Sequence, residues 1–167
     1  MQTITITGGQ PLHGTIRPAA AKNSVLPLLA ATLLCGAPCC LRGVPELSDV
    51  DTSLALLQAV GAKAARHGSD LCTLPVHASA LCGEIPAHLA GAMRSAVFYL
   101  APLRCRAGMV RLPLPGGCRL GPRPVDIHLA GLAAMGARVE LEGDAVTLRR
   151  FGPLQGVDFT LRLPSVG

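Results

Sequence analysis

Two stretches of the chain, residues 50–63 and 125–138, align without a gap and are identical at eight of fourteen positions. Both follow the pattern Val-Asp-x-x-Leu-Ala-x-Leu-x-Ala-x-Gly-Ala, so the match includes polar and glycine positions as well as apolar ones. A chain that repeats itself in this way is expected to fold as repeated copies of one supersecondary unit. The repeat therefore constrains the fold more than any single motif does.

The residues of the repeat predict one helix in each copy. Asp51 and Asp126 are placed at the N-cap or in the first turn, where a carboxylate is favoured by free N–H groups and the helix dipole. In the first copy Leu54, Leu57 and Val60 follow at helical spacing and are predicted to bury one face. A glycine then ends the helix in both copies.

A β-hairpin is predicted after each helix. The first strand begins at Lys63 in one copy and at Arg138 in the other. Turns at residues 67–69 and 142–144 lead into the second strand. Each copy therefore ends in a helix followed by two antiparallel strands.

A weaker similarity lies upstream of each copy, between residues 22–30 and 93–101. Both segments are predicted to begin a largely buried helix, which follows a strand at 14–17 or a loop at 83–86. One unit then contains strand, helix, strand, helix, strand and strand. This βαβαββ order predicts an α/β (α+β) fold.

The units set the expected domain organisation. The first covers about residues 12–76 and the second about 85–151. A third is predicted to open with a strand at 157–161, and its first helix should begin at 165–167, where the sequence stops. We therefore expect the chain to be part of a longer protein.

Composition narrows the class of protein. Half of the residues are hydrophobic, but there are only three Phe, one Tyr and no Trp, so an aliphatic core is expected. Pro27, Gly36 and Pro38 interrupt the longest apolar run, whereas a bilayer span needs about 20 continuous apolar residues. With no export or membrane signal in the sequence, the expected compartment is the cytoplasm.

The cysteines and the charge suggest small-molecule chemistry. Seven cysteines without paired Cys-x-x-Cys spacing predict no metal site, and all except Cys118 are expected to be small buried thiols. The net charge of +5 comes with almost no aromatic surface and no basic run, which argues against nucleic acid. Arginines near glycine-rich loops instead favour phosphate or carboxylate ligands.

Five short motifs occur together in this chain. They are Ala-Lys-Asn at 21–23, Asp-Val-Asp-Thr at 49–52, Pro-Gly-Gly-Cys at 115–118, Gly-Pro-Arg-Pro-Val-Asp at 121–126 and Pro-Ser-Val-Gly at 164–167. In order and spacing the chain resembles the enolpyruvyl transferases, in particular those acting on UDP-N-acetylglucosamine. The resemblance implies an EPSP synthase-like inside-out α/β barrel of two three-unit domains, incomplete here. Residues 1–21 would supply strands to the other domain, and residues 22–167 would belong to the first domain.

Lys22 is unusual by itself, because a cation at a helix start opposes the helix dipole. An anion bound by Lys22 and the free N–H groups would explain it, and a solvated lysine at a frayed end is the alternative. The resemblance implies that Lys22 and Asn23 bind phosphoenolpyruvate. It also implies that Arg94, at the equivalent position of the second unit, contacts the charged groups of the nucleotide sugar. The family usually has a glycine before the Lys-Asn pair, whereas this chain has Pro-Ala-Ala-Ala at 18–21.

Cys118 follows two glycines and has Arg111, Arg119 and Arg123 nearby in sequence, which favours the reactive thiolate. An incidental loop cysteine is the alternative. The resemblance implies that Cys118 is the proton donor to phosphoenolpyruvate and the residue that fosfomycin alkylates, and that Arg123 contacts phosphoenolpyruvate.

The resemblance also implies a set of contacts to UDP-N-acetylglucosamine besides Arg94. These are Arg123, Pro124, Val125, Asp126, Ile127, Ser165, Val166 and Gly167. Asp126 has a second interpretation as a helix-start acid like Asp51.

The function implied is transfer of the enolpyruvyl group of phosphoenolpyruvate to the 3′-hydroxyl of UDP-N-acetylglucosamine, the first committed step of peptidoglycan synthesis. The expected partners are these two substrates and a missing C-terminal half that supplies the general base; no cofactor, metal, nucleic acid or membrane is expected. The chain alone is predicted to be inactive and poorly soluble. A shikimate-pathway enolpyruvyl transferase and a non-catalytic anion or nucleotide-sugar binding remnant are the alternatives.

Overall fold

The computed structural model describes residues 3–9, 11, 13–16, 18, 20–74, 80–114 and 125–162. The helices are α1 (Lys22–Ala31), α2 (Ser48–Ala59), α3 (Ala87–Ala92), α4 (Leu100–Ala107) and α5 (Asp126–Ala134), with 3₁₀ helices at Thr32–Leu34 and Arg94–Tyr99. The strands are β1 (Cys39–Leu41), β2 (Lys63–His67), β3 (Asp70–Leu74), β4 (Met109–Pro113), β5 (Arg138–Glu142) and β6 (Ala145–Arg149).

The strands form two antiparallel sheets with the same topology, which confirms the predicted repeat. The strand order is β1-β3-β2 in one sheet and β4-β6-β5 in the other. Each hairpin turns at a glycine with positive φ, Gly68 at 60° and Gly143 at 59°, a conformation that glycine adopts without steric cost. Both hairpins lie where the sequence predicts them.

The helices at the two aligned stretches are also present. Helix α2 begins at Ser48, so that Asp51 lies in its first turn, and α5 begins at Asp126. No side chain caps the first N–H groups of either helix. The prediction of a first-turn acid is therefore confirmed, and the N-cap alternative is wrong.

The glycine that follows α2 has a steric reason for its identity. Gly61 has φ of 91°, and a Cβ atom there would lie 2.4 Å from the carbonyl oxygen of Ala80. Gly136 occupies the equivalent place after α5, with φ of 96°. Both helices therefore end where the sequence predicts.

The first helix of the second unit differs from its counterpart in the first. A continuous helix α1 is matched by α3, an extended residue Met93, a 3₁₀ helix and α4. Met93 has φ of −140° and ψ of 138°, which interrupts the helical path just before Arg94. The predicted loop before this region contains a short parallel bridge between Glu84 and Arg111.

One hydrophobic core joins the two units. Helix α1 packs against α2 and against the 3₁₀ helix at Arg94–Tyr99, and α4 packs against β4. Leu29, Leu57, Leu103 and Val110, from four different elements, are fully buried. The core is built almost wholly from aliphatic side chains, as the composition predicts.

Helix α5 is less covered than its twin α2. Helix α2 packs against α1, α3 and β2 and has four fully buried residues, whereas α5 packs against β5 and has none. The aromatic ring of Phe159 lies against α5, 3.6 Å from where a Cβ atom of Gly131 would be. The apolar residues of α5, such as Leu129 and Leu132, are therefore only partly buried.

The strands predicted within residues 1–21 and at 157–161 are absent from the described residues. Residues 3–9 and 13–16 are irregular, as are residues 157–161, which the sequence predicts as the first strand of a third unit. A strand needs a hydrogen-bonded neighbour, and no described strand lies beside these segments. The sequence pattern of these segments thus predicts strands, but the described part of the chain provides no neighbouring strand to pair with them.

The prediction of small buried thiols is also wrong. Cys40 and Cys72 face each other in register on β1 and β3 and form a disulfide. Cys35, Cys39 and Cys105 are only half-buried, and Cys82 is exposed. Their sequence spacing carries no information on register between strands, so the pairing could not be predicted.

The described residues form a mixed helix-and-sheet structure, and they form no closed barrel. Among these residues, no helix has both the length and the apolar content needed to cross a membrane.

Candidate functional site

The candidate site begins at the first turn of α1. Lys22 and Asn23 are its first two residues, and both are exposed. Ala21 precedes the helix in extended conformation, and no side chain caps the helix start. The positive end of α1 therefore faces solvent together with the Lys22 ammonium, an arrangement suited to an anion.

The structure places a carboxylate beside this ammonium. Lys22 Nζ lies 2.7 Å from Asp49 Oδ2, and the two side chains are 49% and 26% exposed. Asp49 lies in the first turn of α2, where the helix dipole favours an acid. The ion pair offsets the unfavourable position of Lys22 and links the starts of two packed helices.

A second, looser pair lies on the same turn of α2. Arg66 Nη2 is 3.6 Å from Asp51 Oδ1, which is too long for a hydrogen bond. Neither Nη atom of Arg66 has a hydrogen-bond partner among the described residues. Asp51 therefore makes only a loose ion pair with Arg66, and Asp49 is the acid of this turn that contacts Lys22.

Arg94 begins the 3₁₀ helix and is exposed, as Lys22 is at the start of α1. The two elements pack against each other, so the structure brings together the two helices that carry these predicted cations. Both residues thus begin a helical element, and their joint binding of a ligand stays a prediction.

The segment predicted to contact the nucleotide lies at the start of α5. Val125 and Ile127 are half-buried, and Asp126 is exposed. The Asp126 carboxylate accepts a hydrogen bond from Arg162 and forms an ion pair with it. This contact joins the start of α5 to the segment just before Ser165 in sequence.

Six predicted site residues lie outside the described residues. They are Cys118, Arg123, Pro124, Ser165, Val166 and Gly167. Their roles stay predictions, and the site is built here from the start of α1, the start of α2, Arg94 and the start of α5.

A buried polar contact lies near these helices. The Tyr99 hydroxyl lies 2.5 Å from Ser53 Oγ and donates a hydrogen bond to the Ser53 carbonyl at 3.2 Å. Burial raises the pKa of Tyr99 well above its usual range, and the hydrogen bond with Ser53 opposes this only in part. Tyr99 is thus a neutral link between α2 and the 3₁₀ helix rather than a candidate acid.

A cavity among the described residues lies elsewhere. It has a volume of about 530 Å³ and is lined by Arg104, Cys105, Arg150, Gly152, Pro153 and Leu154. None of the predicted site residues lines it. The described residues contain no group of three or more His, Cys, Asp or Glu side chains that could hold a metal ion.

Asp49 is the residue whose part in the site the sequence did not reveal. It belongs to the Asp-Val-Asp-Thr motif, but the aligned repeat draws attention to Asp51, which has a twin in Asp126. The unusual cation at the start of α1 was the available signal, because such a cation needs an anionic partner. Which acid supplies it depends on the packing of α1 against α2.

A family model described as EPSP synthase (3-phosphoshikimate 1-carboxyvinyltransferase) matches residues 6–167 of this chain. Curated proteins named UDP-N-acetylglucosamine 1-carboxyvinyltransferase are similar over its whole length. The protein from Endomicrobium trichonymphae is 39% identical over 168 residues, and that from Granulibacter bethesdensis is 41% identical over 167. The chain spans about 40% of the length of these relatives.

Solved structures show the same relationship. The enolpyruvyl transferase NikO from Streptomyces tendae superposes with a TM-score of 0.71 and 25% identity, over 88% of this chain and 32% of that protein. EPSP synthase from Acinetobacter baumannii superposes with a TM-score of 0.60 and 14% identity, over 86% of this chain and 34% of that protein.

Proposed function

Because this chain belongs to the EPSP synthase family and has its fold, we propose that it serves the transfer of an enolpyruvyl group from phosphoenolpyruvate to the 3′-hydroxyl of UDP-N-acetylglucosamine. The observation that carries the choice of acceptor is the identity of 38–41% over the whole chain to relatives named for that substrate. The family model alone does not distinguish this acceptor from shikimate 3-phosphate. The Pro-Gly-Gly-Cys and Arg-Pro-Val-Asp motifs support the nucleotide sugar.

The reaction proposed is addition followed by elimination. The sugar hydroxyl adds to C2 of phosphoenolpyruvate while C3 takes up a proton, and loss of a proton from C3 with departure of phosphate restores the double bond. Negative charge on phosphate and carboxylate requires fixed cations, and C3 requires a proton donor. We assign the cations to Lys22 and Arg123 and the proton donor to Cys118.

The exposed start of α1 supports the role of Lys22. Lys22 is the first residue of an uncapped helix and is exposed, and Asn23 is the next residue. For the nucleotide sugar we propose Arg94 and the segment from Arg123 to Ile127, together with Ser165, Val166 and Gly167. The Asp126–Arg162 ion pair supports this grouping, because it links the start of α5 to the segment before Ser165.

The proposal extends to domain organisation and cell biology. Residues 1–21 are proposed to complete a second domain, since Ile4, Ile6 and Ile16 are 86%, 87% and 92% exposed here. The general base is assigned to that part of the enzyme, outside this chain. A cytoplasmic role in peptidoglycan synthesis, and hence in cell wall formation, cell shape and division, follows from the proposed reaction, as does alkylation of Cys118 by fosfomycin.

Ligand binding to the isolated chain tests the acceptor. We expect UDP-N-acetylglucosamine to shift amide NMR signals at the start of α5, and shikimate 3-phosphate to leave them unchanged. An Asp126→Asn variant is expected to reduce the response. The reverse ligand preference would support the shikimate-pathway alternative.

Turnover gives the second test. The chain alone is expected to release no phosphate from phosphoenolpyruvate, and addition of a separately prepared C-terminal part of a relative is expected to restore release. Phosphate release by the chain alone would contradict the assignment of the general base elsewhere. Failure of several such parts to restore activity, with UDP-N-acetylglucosamine still bound, would support a binding remnant.

A further inference from the structure

We propose that Asp49 occupies the place of the ligand's anionic group at Lys22, so that an anion binds there only by displacing the Asp49 carboxylate. The inference rests on the proposed function, because it takes Lys22 as the residue that contacts phosphoenolpyruvate. The inference makes Asp49 a positioning residue: it acts through Lys22 and lowers the affinity of Lys22 for an anionic ligand.

The geometry of the pair is that of an anion bound to an ammonium. Lys22 Nζ and Asp49 Oδ2 are 2.7 Å apart, within the range of a charge-assisted hydrogen bond. The two residues lie on different helices and are 27 positions apart in sequence. Asp49 is therefore held at Lys22 by the packing of α1 against α2, and it is not a local helix contact.

The pair is also open to exchange. Lys22 is half-exposed, so a soluble anion can reach its ammonium. An ion pair at this level of exposure contributes little net free energy, because water screens the charges and the two side chains lose freedom. The free-energy cost of separating Lys22 from Asp49 on ligand binding is therefore small.

An incoming anion has a contact that Asp49 does not use. The start of α1 has no side-chain cap, and among the described residues the Asp49 carboxylate bonds to the Lys22 ammonium alone. A phosphate or carboxylate at this position can accept hydrogen bonds from the ammonium and from the uncapped N–H groups together. Displacement of Asp49 by such a group is thus favoured by geometry as well as charge.

Asp51 provides a matched control. It lies on the same turn of α2 and carries the same charge, but its partner is Arg66 at 3.6 Å. Asp49→Asn and Asp51→Asn remove the same charge from the same helix end. Only the first variant frees Lys22.

The chain contains two lysines, Lys22 and Lys63, which makes the pair directly observable. Reductive ¹³C-methylation gives one dimethyl-lysine NMR signal for each, in addition to the N-terminal amine, and preserves the charge. Lys63 is exposed at the start of β2 and serves as the internal reference. Without ligand, we expect Asp49→Asn to shift the Lys22 signal and to leave Lys63 unchanged, and Asp51→Asn to leave both unchanged.

Titration with phosphoenolpyruvate at pH 7 and low salt completes the test. We expect the Lys22 signal to report a Kd that is about two- to five-fold lower in Asp49→Asn than in the wild-type chain, the range that an exposed ion pair can oppose. The Kd of Asp51→Asn is expected to match that of the wild type. In 0.5 M salt the difference should disappear.

Three results would overturn the inference. An equal Kd in the wild type and in Asp49→Asn would do so while leaving the role of Lys22 intact. An equal gain in Asp51→Asn would show a general charge effect. No response of Lys22 to phosphoenolpyruvate in any variant would reject both Asp49 as an occupant and Lys22 as a contact.

Discussion

Tyr99 shows how a single buried group gives the chain a measurable pH dependence. It is the only tyrosine, it is buried, and burial raises its pKa despite the hydrogen bond with Ser53. Below pH about 10 the hydroxyl is protonated in both the folded and the unfolded chain. Above that pH the unfolded chain loses this proton while the folded chain retains it, so the unfolded state is favoured increasingly until the folded pKa is reached.

We therefore expect Tyr99 to cause a loss of stability above pH 10. The free energy of unfolding should fall by about 1.4 kcal/mol per pH unit from this group, and Tyr99→Phe should remove that slope. Urea titrations followed by circular dichroism between pH 8 and 11 measure the difference between the two chains, which cancels the ionisation of other groups. Equal slopes in the two chains would contradict the assignment.

Direct titration of the hydroxyl provides the control. With one tyrosine and no tryptophan, the absorbance of tyrosinate near 295 nm reports Tyr99 alone. The absorbance is expected to rise only when the chain unfolds. A smooth rise centred near pH 10 in the folded chain would show that the hydroxyl is not buried.

At the scale of elements, helix α4 carries two arginines that differ in burial and in hydrogen bonding. Arg104 is fully buried, and its Nη2 donates to the carbonyl of Gly152, but its Nε and Nη1 have no partner among the described residues. Arg106 donates from Nη1 to the carbonyl of Leu33 at 2.7 Å and so links α4 to the end of the first unit's helix. One side chain is a buried charge that is poorly compensated, and the other is a cross-unit link.

Replacement by methionine separates the two cases. Arg104→Met should raise the free energy of unfolding by about 1–3 kcal/mol, because it removes a desolvated cation and retains the apolar stem. Arg106→Met should lower it by about 1–3 kcal/mol, because a part-buried carbonyl loses a charged donor. Chemical denaturation measures the free energy of unfolding of both variants. Destabilisation by both substitutions would show that the interactions of Arg104 in the folded chain outweigh the cost of burying its charge.

At the scale of the whole molecule, the core is shared by both units while the N-terminal segment lies outside it. Ile4, Ile6 and Ile16 are almost fully exposed in irregular segments. Their alternation with polar residues is typical of a strand, and an unpaired apolar strand is prone to associate with other chains. We therefore expect folding stability and solubility to depend on different parts of the chain.

We expect the double variant Ile4→Lys, Ile6→Lys to reduce aggregation without changing the free energy of unfolding. The physical reason is that these side chains make no core contact but present an apolar edge. Light scattering against concentration measures the first effect and urea denaturation the second. The variant Thr5→Lys, Thr7→Lys adds the same charge to the same segment, and an equal gain in solubility there would assign the effect to net charge alone.

The sequence-based predictions were correct where a feature depends on nearby residues and wrong where it depends on a distant part of the chain. The two hairpins, their turn glycines and the ends of α2 and α5 were predictable, because each is fixed by residues a few positions apart. The strands predicted at 14–17 and 157–161 were wrong for the described residues, because a strand also needs a neighbour. The family resemblance is confirmed, and the roles of Lys22, Arg94 and Cys118 stay predictions.

By itself the sequence determined the repeated unit, the aliphatic core and the motifs that place the chain in its family. These are local in origin, since periodicity and turn residues act over one helix or one hairpin. The tertiary structure alone decided that Asp49 faces Lys22, that Ser53 meets Tyr99 and that Cys40 pairs with Cys72. Such contacts join residues 27 to 46 positions apart, and their geometry is set by how helices and strands pack rather than by any pattern along the chain.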